Sequence, residues 1–155
     1  MNIPHGQYQV KEANFTIAQS ATGDVFQLRN GSTRRVEILE IRMGQTTLTD
    51  LEQLAIALNR GSGGAGGSAL TERAFLSTMP TATATAHSDN TDFTTDVGTL
   101  DFDYGDVWNI LQNYVWLPTP EIKIVLEASD HFAIALDTGP SAAISLTVNV
   151  IWREF

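Results

Sequence analysis

The stretch "ISLTVNVIW" (144–152) constrains this chain more than any other. Ile144, Leu146, Val148, Val150 and Trp152 point one way, and Ser145, Thr147 and Asn149 point the other. Successive side chains of an extended strand face opposite sides, so this spacing describes a half-buried β-strand. "FAIAL" repeats the pattern, with Phe132, Ile134 and Leu136 opposite Ala133 and Ala135, and "EIKIVLE" groups Ile122, Ile124 and Leu126. Turn-forming stretches stand between these runs: "LPTPE" (117–121), "ASD" (128–130) and "DTGPS" (137–141).

The first half carries the same theme. Strands are expected over 7–18, 24–30, 35–43 and 51–59, separated by "SATGD", "NGST" and "GQTTLT". Asn30-Gly31 is a tight-turn dipeptide and predicts a hairpin between the second and third strands. Leu51, Leu54, Ala55 and Leu58 also fit a helical period, but the short run and its neighbours favour a strand. From Thr78 to Gly98 the chain becomes rich in Thr, Ala and Asp ("TMPTATATAHSDNTDFTTDVG") and has little to bury. It is too long for a hairpin turn and is expected to run as an extended arm. Two further strands are expected near 103–108 and 111–117.

Many short antiparallel strands without a long helix imply an all-β protein, an antiparallel β-sandwich with jelly-roll topology and long loops. The chain of 155 residues fits one domain over 1–155, with residues 1–6 as an N-terminal arm.

"RGSGGAGGSAL" (60–70) holds five of the chain's twelve glycines. Gly61, Gly63 and Gly66 even match the G-x-G-x-x-G spacing of a dinucleotide turn. That turn works only where it opens a helix inside a parallel βαβ unit. Here Met79-Pro80 breaks the following segment, no acid is placed to hold a ribose, and no G-K-[ST] follows. The expectation is a connector: a mobile, solvent-facing tip over 60–69, whose residues 61–68 are replaceable by a short turn without loss of folding.

Charge and composition narrow the function. The balance of 9 cations against 18 carboxylates gives a net charge of −9, which disfavours nucleic acid and anionic membranes as partners. No cysteine is present, so disulfides, thiolate chemistry and cysteine-based zinc sites are excluded. No signal peptide and no membrane-length apolar run is read, and a soluble protein is expected. Asp89, Asp92, Asp96, Asp101, Asp103 and Asp106 form an acidic run without Lys or Arg. It matches no EF-hand loop and reads as a solvated face or a patch for a basic partner. His5, His87 and His131 show no metal-binding or catalytic spacing, and no G-x-S-x-G elbow occurs. The Asn14 and Asn30 sequons carry no weight without a secretion signal. Trp108, Tyr114, Trp116 and Trp152 are read as core, with a carbohydrate-stacking platform as the alternative.

The layout resembles a family of small phage head decoration, or cement, proteins built on a jelly roll. The resemblance runs through most of the chain. It rests on "TRRVEILEIRMG", a basic pair leading into a strand, and on "ALTERAFLSTMPTATATA", an "ALT" segment followed by Pro, Ala and Thr. "VWLPTPEIKIVLEA", "FAIAL" and the closing "VIWREF" complete the order. The resemblance implies a non-enzymatic virion protein, made in the host cytoplasm and seated on the capsid surface. It implies a homotrimer bound to the major capsid protein, with no cofactor, metal or small-molecule substrate.

On that reading the partner-binding residues lie in the two arms: Ile3, Pro4 and His5, then Pro80, Thr83, Asp89, Asp92 and Asp96. Arms that order on contact cover much surface for their length. The rival expectation is a carbohydrate- or receptor-binding head of a phage fibre or spike.

Overall fold

Period-2 patterning builds two antiparallel sheets packed face to face. The computed structural model describes residues 6–47 and 51–155, except for the side chains of 11–15 and 89–94. Ten strands and no helix occur among the described residues. They are β1 (Gly6–Ile17), β2 (Gly23–Asn30), β3 (Val36–Gln45), β4 (Gln53–Ala69) and β5 (Arg73–Ala74). The others are β6 (Ala84–Asn109), β7 (Tyr114–Trp116), β8 (Val125–Leu126), β9 (His131–Leu136) and β10 (Ile144–Glu154). The protein is thus an all-β antiparallel sandwich, as the alternation predicts.

The first sheet runs β5-β1-β10-β3-β7, with β8 also paired to β3. β10 is central, and its alternating residues fill the core: Ile144, Leu146, Val148, Val150 and Trp152 are all buried. The facing strand contains a bulge. Val150 lies opposite Ile41 and Trp152 opposite Ile38, so β3 spends three residues where β10 spends two. That extra residue turns Ile38 and Ile41 onto the same buried face despite their odd spacing. Tyr8 stacks on Trp152 at 5.9 Å between ring centroids.

The second sheet joins β2, β6, β4 and β9 into a closed ring. β9 pairs with β2 on one side and β4 on the other. β6 serves twice: residues 84–88 pair with β2, while His87 to Asn109 follows β4. With the two-residue β5 and β8 left out, strand order is first-eighth-third-sixth in one sheet and second-seventh-fourth-fifth in the other.

Four expectations need correction. The glycine stretch 60–69 is not a loose tip but the second half of β4, paired with β6 through Ala69. Register shifts fall at Arg60/Gly61, Gly61/Gly63, Ala65/Gly66 and Gly66/Ser68. Gly63, Gly64, Gly66 and Gly67 have φ of 85°, 90°, 78° and 76°. Only glycine takes such angles cheaply, so these residues bend a two-stranded ribbon through successive bulges until it reaches β2. The same ribbon absorbs most of the expected arm 78–98, because β6 begins at Ala84.

Asn30-Gly31 makes no hairpin, since β2 and β3 belong to different sheets. Asn30 is fully buried and works as a corner. Its Nδ2 donates to the carbonyls of Arg34 (2.6 Å) and Glu127 (2.8 Å), and its Oδ1 accepts from the Ser32 amide (3.2 Å). In "EIKIVLE" only Val125–Leu126 is strand; Ile124 and Leu126 are buried while Ile122 is exposed.

Candidate functional site

Of the residues expected to bind a partner, Ile3, Pro4 and His5 lie outside the described residues, as do the side chains of Asp89 and Asp92. Thr83 is spent on the fold. Its amide donates to both carboxylate oxygens of Glu154 (2.9 and 3.1 Å), and its hydroxyl to Oε2 at 2.6 Å. Glu154 is completely buried and also accepts from the Ala84 amide (3.0 Å) and the Trp152 indole (3.3 Å), with Arg34 at 3.6 Å. Pro80 is exposed, but its carbonyl accepts from the Tyr8 hydroxyl at 3.0 Å. These contacts pin the chain before β6 to the end of β10. Asp96 is at the other end of β2, accepting from the Asp24 amide at 3.1 Å. The described members of the expected set therefore do not come together. Glu154 is the residue the sequence reading missed; a lone acid on the inward phase of an apolar strand was the available signal.

A polar layer lies between β2 and the glycine ribbon. Arg29 donates through Nη2 to the Gly66 carbonyl (2.7 Å) and through Nε to Gln27 Oε1 (2.9 Å). Gln27 in turn donates to Asp24 (2.8 Å) and to the Thr95 carbonyl (3.2 Å), and Asp24 accepts from the Val97 amide (2.7 Å). His87 and His131 complete the layer, and neither Nδ1 has a hydrogen-bond partner among the described residues. Burial, then the Arg29 charge, holds both imidazoles below their ordinary range. Burial likewise lowers the Arg29 guanidinium. The layer is a clamp: its donors and acceptors hold the ribbon. A neighbouring cavity of about 330 Å³ includes Asp24, Asn59, Asp96 and Asp137. Among the described residues no group of three or more His, Asp or Glu has the geometry to hold a metal ion.

The uncommitted chemistry is on the surface. Tyr104 and Asp106 of β6 line a groove of about 260 Å³ with Val115, Leu117, Pro118 and Ile122. Val115, Leu117 and Ile122 are 50%, 63% and 42% exposed. Burial, reinforced by the Asp106 carboxylate that accepts its hydroxyl at 3.0 Å, pushes the Tyr114 phenol well up. A second groove, of about 520 Å³, is formed by Gly6, Gln7, Phe75, Leu76, Met79 and Arg153. Trp108, Tyr114, Trp116 and Trp152 are all buried and make no stacking platform.

No family model matches the chain, and no curated protein matches it. Among solved structures, a mutant VP2 protein of infectious bursal disease virus, from derived T=1 particles, aligns at 7% identity with a TM-score of 0.24. The alignment covers 97% of this chain and 40% of that one, so the chain spans less than half of that protein's length. At that score the likeness carries no argument.

Proposed function

We propose that this chain is a non-enzymatic virion structural protein, a phage capsid decoration protein. It binds the outer surface of the major capsid lattice as a homotrimer and stabilises the head. One observation carries the reading: Asp24, Gln27 and Arg29 beneath the ribbon are committed to holding strands, while apolar Val115, Leu117 and Ile122 stand exposed around an open groove. That distribution suits contact with another protein surface rather than turnover of a small molecule.

The strand order, first-eighth-third-sixth in one sheet and second-seventh-fourth-fifth in the other, with a change of sheet at every step except fourth to fifth, supports a jelly roll as its scaffold. The net charge of −9 favours encounter with a basic surface. The rival reading, a carbohydrate- or receptor-binding head, loses its expected aromatic platform to the core.

The test is addition of purified protein to capsids that lack it, followed by sedimentation. Saturable binding at a fixed ratio to the shell protein is expected. Recovery of the native protein only with tails would refute the reading.

A further inference from the structure

Residues 100–109 of β6 pair with β4 along one edge, and among the described residues nothing pairs with the other edge. The direction of its backbone groups follows from its neighbours. Ala55, opposite Val107, turns its own amide and carbonyl toward Thr138 and Asp137, away from β6. Ala55 and Val107 are therefore a non-hydrogen-bonded pair, and the Val107 amide points outward, where only its neighbour Asp106 accepts it, at 2.7 Å. By the same alternation Asp103 and Gly105 present N–H and C=O outward, with no partner strand among the described residues.

An open edge of this length is a template for strand addition. Its side chains say what it accepts. Asp101 and Asp103 alternate on one face; Asp101 shares Arg60 at 3.4 Å, and Asp103 has no ion pair among the described residues. Tyr104 and Asp106 turn to the other face, into the groove walled by Leu117 and Ile122. A second copy pairing edge to edge with Asp103 opposite Asp103 would set carboxylate against carboxylate, which is unfavourable, and in every register it would bring together two like-charged edges. A strand with cations at alternate positions meets no such penalty.

We propose that this edge binds one extended segment of a protein partner, with Lys or Arg at alternate positions and an apolar side chain reaching the groove. The inference rests on the reading of the chain as a lattice-binding protein and names the lattice segment's chemistry.

The test uses the full chain and a capped peptide, KTKVKTK, with ETEVETE as its control. Saturable binding of KTKVKTK is expected, with amide exchange at Asp103 and Gly105 slowed about tenfold, and ETEVETE is expected not to bind. Gly105→Pro removes an outward N–H at a site where a Cβ meets nothing within 4 Å, so folding is expected to survive. Binding is expected to vanish. Asp103→Lys keeps the backbone and is expected to weaken binding about tenfold at low salt. Equal binding of both peptides, no binding, or full binding by a folded Gly105→Pro protein would overturn the proposal. Capsid binding separates the two claims: if both variants still coat capsids normally, the edge is not the lattice contact and the decoration reading stands. If the parent protein binds KTKVKTK but never capsids, the decoration reading fails and the edge remains.

Discussion

Removing the Glu154 carboxylate is expected to destabilise the fold more than any surface change. Glu154→Ala strips four donors of their acceptor: the Thr83 amide and hydroxyl, the Ala84 amide and the Trp152 indole. It also leaves Arg34 without the carboxylate 3.6 Å away. Ala84 and Trp152 are fully buried, so water cannot replace the lost acceptor there. Each buried donor left unpaired costs about 1–3 kcal/mol. Taking the low end for these two and about 1–2 kcal/mol for Thr83 and Arg34 together gives a loss of about 3–4 kcal/mol. With a urea m-value of about 2 kcal/mol/M, the midpoint falls by about 2 M.

The assay is equilibrium urea unfolding, with Glu40→Ala as the control. Glu40 pairs with Arg42, which is 64% exposed, so that change is expected to cost less than about 1 kcal/mol. Thr83→Val is expected to be costly in the parent and nearly neutral in Glu154→Ala, because the two share one interaction. A Glu154→Ala loss below about 1 kcal/mol, or additive behaviour with Thr83→Val, would refute the role of Glu154 as a buried shared acceptor.

His87 and His131 are held neutral, their folded values below the ordinary 6.5 through burial and then Arg29. The unfolded chain therefore takes up protons first: their contribution is complete above about pH 6.5 and declines as the pH falls toward the folded values. Urea midpoints from pH 7 to pH 5 are expected to drop, and to drop less in His87→Gln/His131→Gln; identical slopes would contradict this. Gly64→Val forces a β-branched residue to φ of 90°, with its Cβ 2.9 Å from Gln27 Oε1, and is expected to cost about 1–3 kcal/mol by urea unfolding. Gly105→Ala, in open space, serves as the neutral comparison. Replacing 61–68 with a short turn, harmless if those residues were a loose tip, is now expected to lower the thermal midpoint and expose the Gln27–Arg29 layer; unchanged melting would restore the loop reading.

The strands were legible wherever one face is apolar and the other polar. β10 declares itself because every second residue is buried against the opposite sheet, and β9 because large side chains alternate with alanine, although all of 132–136 is buried. The glycine ribbon was illegible for a physical reason: its stability comes from backbone pairing with β6 and from Arg29 reaching the Gly66 carbonyl, neither of which leaves an apolar period. Asn30-Gly31 misled because a buried Asn that caps backbone carbonyls at a corner uses the same residue as a hairpin turn. β3 hid its bulge, since Ile38 and Ile41 look out of phase until β10 is placed beside them. At the surface, the open edge of β6 could not be read from "DFDYGD" alone. Pairing partners define an edge, and they are distant in sequence.

A reconstruction of the native particle by electron microscopy tests the central claim most directly. Density for this sandwich is expected on the outer capsid face, three copies about a three-fold or quasi-three-fold position, at a fixed ratio to the major capsid protein. A bare capsid, with the sandwich found at the tail or on a fibre, would contradict it.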